Sequence, residues 1–177
     1  MMKLRLGLVC ALTAGLFGCS TTPTQELPKV NYVDVDRYMG DWYVIAHIPI
    51  FVEKNAFNAV ETYTLKEDGK EVQVHYEFNE GGYDKELKTY KSKGFISDDP
   101  ALWQIQFIWP FKADYQISYL SEDYSTVIVA RPSRDYVWLM SRNPQMDDAT
   151  YESMKTKIEE MGYDMTQLRR VPHLDKE

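Results

Sequence analysis

In the stretch Glu71-Val72-Gln73-Val74-His75-Tyr76-Glu77-Phe78, apolar and polar side chains alternate without a break. Successive side chains of an extended chain point to opposite faces, so Val72, Val74, Tyr76 and Phe78 share one face, opposite Gln73, His75, Glu77 and Asn79. Such a strand has one dry side and one wet side. Residues 102–109 repeat the pattern, with Trp103, Ile105, Phe107 and Trp109 on one face and Gln104 and Gln106 on the other. Working outward, further apolar runs lie at 42–48, 58–65, 88–96, 115–120, 125–130 and 136–141. Turn chemistry separates them: Pro49, Glu67-Asp68-Gly69, Gly81-Gly82, Asp98-Asp99-Pro100, Pro110, Ser121-Glu122-Asp123, Arg131-Pro132 and Asn143-Pro144. Strands at such even spacing predict an all-β sandwich or barrel.

Three of the runs are apolar on both faces: Val44-Ile45-Ala46, Val127-Ile128-Val129 and Val137-Trp138-Leu139-Met140. In a barrel their outer faces need a cover. A helix near the end of the chain can supply it. Asp147 or Asp148 can cap its start, Tyr151, Met154, Ile158 and Met161 form one helical stripe, and Gly162 is placed to end it.

The first residues read as an address. Lys3 and Arg5 precede an apolar stretch of about a dozen residues, the form of a secretory signal and too short for a permanent span. Residues 19–30 are polar with two prolines and read as a tether, leaving 31–177 as a single folded domain. The whole chain has 177 residues, 44% of them hydrophobic, and a net charge of −7. That is ample for one core, and the acidic balance argues against a binder of nucleic-acid phosphates.

Leu16-Phe17-Gly18-Cys19 resembles a bacterial lipobox, with 1–18 as the signal peptide and Cys19 lipidated as the mature N-terminus. Ser20 after that cysteine implies the outer membrane of a Gram-negative cell rather than inner-membrane retention. Gly40-Asp41-Trp42-Tyr43 resembles the G-x-W-Y signature that opens the first strand of lipocalins. Asp123-Tyr124 resembles their second motif, and Arg142 stands where the third places an arginine. The stretches 38–43 and 134–142 are similar to bacterial outer-membrane lipocalins, near apolipoprotein D and plant temperature-induced lipocalins. The resemblance implies an eight-stranded up-and-down antiparallel barrel, a calyx, with the C-terminal helix packed outside. In that topology Gly40, Trp42, Asp123, Tyr124 and Arg142 converge at one end and close the floor, with the guanidinium over the indole as a cation–π pair.

The opposite end then carries loops of unusual content, with Ile50, Phe51, Val52 and Phe57 in one and Trp109-Pro110-Phe111-Lys112 in another. Such a rim suits the entrance for an apolar ligand or a surface that meets membrane; alternatively the loops fold inward and plug the barrel. Candidate cavity walls are Val74, Tyr76, Phe78, Trp103, Phe107, Trp109, Tyr119, Trp138 and Met140. Lys112, Arg131 and Arg134, with Lys54, are candidates for a charged head group. The expected ligand is a fatty acid, lysophospholipid or similar amphiphile. A second reading is a structural lipoprotein with a filled barrel that acts through surface contacts, and a continuous void discriminates the two. An enzyme is disfavoured. His47, His75 and His173 lack metal-ligand spacing, and no nucleophile elbow or glycine-rich phosphate loop is present, so neither metal nor cofactor is expected. A buried carboxylate–histidine contact inside the cavity would revive that class.

Overall fold

The computed structural model describes residues 26–174. The strands are β1 (Gly40–Ile48), β2 (Ala56–Leu65), β3 (Glu71–Glu80), β4 (Leu87–Ile96), β5 (Leu102–Ile108), β6 (Phe111–Leu120), β7 (Thr126–Ala130) and β8 (Val137–Ser141). Each pairs antiparallel with the next, and β1 closes the barrel. Its first half pairs with β2 through residues 40–43, its second half with β8 through 43–48. A four-residue helix, α1 (Val35–Tyr38), precedes β1. The longer helix α2 (Asp148–Glu160) follows β8, and a two-residue strand, β9 (Arg169–Arg170), adds to β1 at Ala46 and His47.

The pleat sorts side chains into two cores. Val44, Val72, Val74, Ile117, Val127, Val129 and Met140 point into the barrel. Ile45, Ala46, Ile48, Ile128, Ala130, Val137 and Leu139 point out and meet Tyr151, Met154 and Ile158 of α2 and Met161 at its C-cap. The strands that read as apolar on both faces are therefore those under the helix. Burying a side chain such as Ile158 contributes roughly 1.5–3 kcal/mol. Asp147 caps α2 by accepting from the Thr150 amide at 2.9 Å, and Gly162, at φ +86°, turns the chain away at the other end.

Bulges set which residues face inward. One lies between Val44 and Ala46, so Ile45 and Ala46 both face α2 and His47 turns inward. Others lie between Ile105 and Ile108 and between Ile117 and Tyr119.

The signal peptide and Cys19 lie outside the described residues. Residues 26–30, the end of the segment expected to be a tether, run against the barrel. Val30 N–H donates to the Ile117 carbonyl at 3.1 Å, Gln116 Nε2 donates to the Pro28 carbonyl at 2.9 Å, and Lys29 pairs with Asp99 at 2.6 Å.

Candidate functional site

The floor is built around one indole. Trp42 is fully buried and donates from Nε1 to the Tyr38 carbonyl at 2.9 Å, tying β1 to α1. Arg142 lays its guanidinium 3.8 Å from the centre of the Trp42 ring. It also donates to the carbonyls of Arg37, Tyr38, Met39 and Asp41 at 2.7–3.0 Å. Three of these carbonyls lie at the end of α1, where a cation is favoured, and the fourth, that of Asp41, lies at the start of β1. Gly40 adopts φ +89°, a left-handed conformation open to glycine. Tyr124 accepts the Asp34 amide at 2.8 Å, with the Arg37 guanidinium 4.0 Å from its ring centre. Asp123 accepts from Ser121 Oγ and from the amide and hydroxyl of Ser125 in the β6–β7 turn. Those three bonds hold its carboxyl down at about 2. The second-motif aspartate thus shapes its own turn and does not touch the indole.

Above the indole, Tyr38, Tyr63, Trp103 and Tyr115 form a layer of rings, with Trp103 and Tyr115 stacked at 5.2 Å. Above that layer opens a cavity of about 350 Å³. It is walled by Val74, Tyr76, Ile105, Trp138 and Met140, and bounded towards solvent by Ile50, Phe51, Val52, Phe107, Arg131 and Tyr136. The mouth loops therefore border the cavity without filling it. Trp109 and Phe111, at the β5–β6 turn, are about four-fifths and three-quarters exposed.

Five of the nine sequence-derived wall candidates line this cavity: Val74, Tyr76, Phe107, Trp138 and Met140. The other four do not. Trp103 belongs to the ring layer beneath, where Nε1 donates to the Pro100 carbonyl at 2.8 Å. Phe78 is fully buried behind Tyr90, their rings parallel at 6.0 Å, and Tyr90 takes the wall position. The bulge after Ile105 breaks the alternation that would have placed Trp109 inside. The bulge after Ile117 turns Tyr119 to the outer face, where Lys157 stands 5.1 Å from its ring centre.

Of the cation candidates, Arg131 lines the cavity. Its Nη1 pairs with Asp135 at 2.9 Å, while its buried Nε has no hydrogen-bond partner. Lys112 instead stands 3.8 Å from the centre of the Phe95 ring, and Arg134 donates from Nε to the Met161 carbonyl at the end of α2. Neither lines the cavity. Lys54 does not line it either.

One wall residue the candidate set lacks is Glu61. It lies on the inward face of β2 opposite Trp42 and Tyr76. One carboxylate oxygen accepts from the Tyr63 hydroxyl. Tyr63 in turn accepts from Tyr115 at 3.0 Å, and Tyr115 shares a 2.7 Å bond with Tyr38. Burial raises the Glu61 carboxyl to about 7, against the opposing Tyr63 bond and with help from the charge of Glu53. Burial also pushes the three tyrosines well above their usual range. The signal was in the sequence: alternation through 58–65 puts Ala59, Glu61, Tyr63 and Leu65 on one face.

A buried carboxylate–histidine contact is present, but it does not line the cavity. His47 Nδ1 lies 3.6 Å from Glu53 Oε2, both residues almost fully buried under the β1–β2 loop. The Ile50 amide and Trp138 Nε1 donate to the other Glu53 oxygen at 3.0 and 3.3 Å. An acid–base pair must reach the proton it moves, and this one is sealed off. Through the bonds it accepts from the Ile50 amide and Trp138, Glu53 pins the loop that borders the mouth.

Comparison with known proteins agrees with this closed eight-stranded barrel and its external helix. A family model described as a lipocalin-like domain matches residues 33–173. The chain belongs to the lipocalin family. Temperature-induced lipocalin-1 of Arabidopsis thaliana is 34% identical over 162 residues, 87% of each chain. The outer membrane lipoprotein Blc of Citrobacter freundii is 30% identical over 169 residues, covering 92% of this chain and 94% of the relative. Among solved structures, insecticyanin from the tobacco hornworm Manduca sexta superposes with a TM-score of 0.64 at 14% identity, covering 85% of this lipocalin and 86% of that chain. Lipocalins are generally binding and transport proteins.

Proposed function

We propose that this lipocalin is anchored by lipid at Cys19 to the outer membrane of a Gram-negative cell, where its cavity binds, stores or transports a fatty acid, lysophospholipid or similar amphiphile. The observation that carries the reading is the cavity of about 350 Å³ among Val74, Ile105, Trp138 and Met140. It falls near the lower end of the roughly 300–1,000 Å³ typical of small-molecule sites, enough for one acyl chain. The open cavity favours this reading over the structural-lipoprotein one, which requires a filled barrel. The unpaired Nε of Arg131 supplies a donor for an anionic head at the rim. The lipobox resemblance and the likeness to outer membrane lipoproteins support the anchor.

The test is native mass spectrometry of the protein released from its own membrane, followed by lipid extraction. A co-purifying acyl amphiphile at one per chain is the expected result. Only empty protein would contradict it. Fractionation of a Cys19→Ala variant tests the anchor separately. The variant is expected in the soluble periplasm or unprocessed, and its recovery in the outer membrane would refute lipid attachment there.

A further inference from the structure

Glu61 introduces a polar requirement into a mostly apolar wall. Its neighbours are Trp42 on β1, Tyr76 on β3, and the Tyr63–Tyr115–Tyr38 chain beneath. Glu53 is the nearby carboxylate of the β1–β2 loop, and Arg131 and Asp114 stand elsewhere on the wall. Among the described residues none forms an ion pair with Glu61. The hydroxyl relay has a direction. Tyr63 donates to Glu61 and Tyr115 donates to Tyr63, so the bond between Tyr38 and Tyr115 takes its hydrogen from Tyr38. The protons of these three tyrosines are thus committed within the relay, and the hydroxyl left on the wall is that of Tyr76, which has no hydrogen-bond partner among the described residues. One Glu61 oxygen is engaged by Tyr63, while the other has no protein partner among the described residues and belongs to a residue on the cavity wall.

A saturated chain filling the cavity would expel water from that oxygen and leave it unpaired, a costly arrangement. A ligand hydroxyl at the same depth would restore the bond. It donates to the carboxylate when Glu61 is ionised and accepts from the carboxyl when it is neutral. An ammonium could serve only the ionised form, and a second carboxylate only the neutral one. With the Arg131 Nε unpaired for an anionic head and the unpaired Tyr76 hydroxyl beside Glu61, these polar points call for an amphiphile with a head at the mouth and a hydroxyl inside. We propose that Glu61 is a specificity-determining residue that selects acyl amphiphiles bearing a hydroxyl on the buried part of the chain. This rests on the lipid-binding reading above and narrows its substrate class.

The experiment is calorimetric titration of the folded protein with two matched series, unbranched alkanoic acids and the corresponding ω-hydroxyalkanoic acids, from about eight to fourteen carbons. An apolar cavity alone favours the plain acid at every length, because the hydroxyl must lose its water. With Glu61 in the wall, at one or more lengths the hydroxy acid is expected to bind roughly tenfold more tightly than its plain partner. The Glu61→Leu variant should favour the plain acid throughout, and Glu61→Gln, which keeps a hydrogen-bonding group, should retain a preference for the hydroxy acid. Plain acids binding more tightly at every length in the unmodified protein overturn the proposal without need of a variant. A preference that survives in Glu61→Leu overturns the assignment to Glu61. Binding of neither series removes the lipid-binding reading itself, an outcome distinct from the other two.

Discussion

Arg142 acts at the floor through two kinds of interaction at once, a cation–π contact with Trp42 and hydrogen bonds to four carbonyls around α1. Trp42→Ala empties a fully buried site and is expected to cost ~3–5 kcal/mol in urea unfolding. Arg142→Ala should destabilise as well, and the double mutant should lose less than the sum, because the contact is lost only once. Strict additivity would show that the pair is not coupled. Glu61 governs a different observable. Its folded carboxyl titrates at about 7 instead of the usual 4.5, so the folded state holds that proton more tightly than the unfolded chain. Its contribution is fully present below about 4.5 and is lost as pH rises through about 7. Relative to Glu61→Gln, the unmodified protein is therefore expected to lose up to roughly 3 kcal/mol between those limits, read by urea unfolding at pH 5 and pH 8. Asp123 works the other way. Its carboxyl is held down at about 2, so its contribution is present above about 4 and fades as pH falls towards 2. A parallel pH profile for Glu61→Gln and the unmodified protein would contradict the buried carboxyl.

The strands and α2 were legible because periodicity is written directly in the residues. The alternation of 71–78 became β3, and the stripe Tyr151, Met154, Ile158, Met161 became the face α2 packs on the barrel. The inward set was legible only as far as the alternation ran unbroken. A bulge adds one residue without changing the apolar character of the run, so nothing in 102–109 or 115–120 announced that Trp109 and Tyr119 would leave the inner face. Trp103 failed as a wall residue for another reason. Its face was read correctly, but its height in the barrel places it in the ring layer with Tyr38 and Tyr115, and height is a tertiary property. Glu61 was readable from its face and was missed because a carboxylate does not fit an apolar pattern. At this scale the testable element is α2. Ile158 is fully buried between the helix and the outer faces of β1, β7 and β8. Ile158→Ala is expected to cost ~2–5 kcal/mol while leaving the cavity unchanged, since that core lies on the far side of the barrel wall. A large loss of ligand affinity in folded Ile158→Ala would show that the two cores are not independent.

The whole molecule is a barrel closed by Trp42 and Arg142 at one end and bordered by apolar loops at the other, with a cavity between. The ring layer sets the depth of that cavity, the β1–β2 loop pinned through Glu53 and Trp138 frames its mouth, and α2 covers the wall from outside. Burying an acyl chain contributes roughly 0.8 kcal/mol per methylene, so about ten carbons reach micromolar affinity once association costs are met. Salt should weaken binding modestly if the head meets Arg131. The most direct test of the central claim is a tryptophan-emission titration with a chain-length series of fatty acids and lysophospholipids, since Trp138 forms part of the wall. It should be repeated with Ala113→Phe, which enlarges a small wall residue into the cavity. A lipid-binding barrel predicts an emission change, an affinity that climbs with chain length until the cavity is full, and a shorter optimum with weaker binding in Ala113→Phe. No emission change and no dependence on chain length would contradict it.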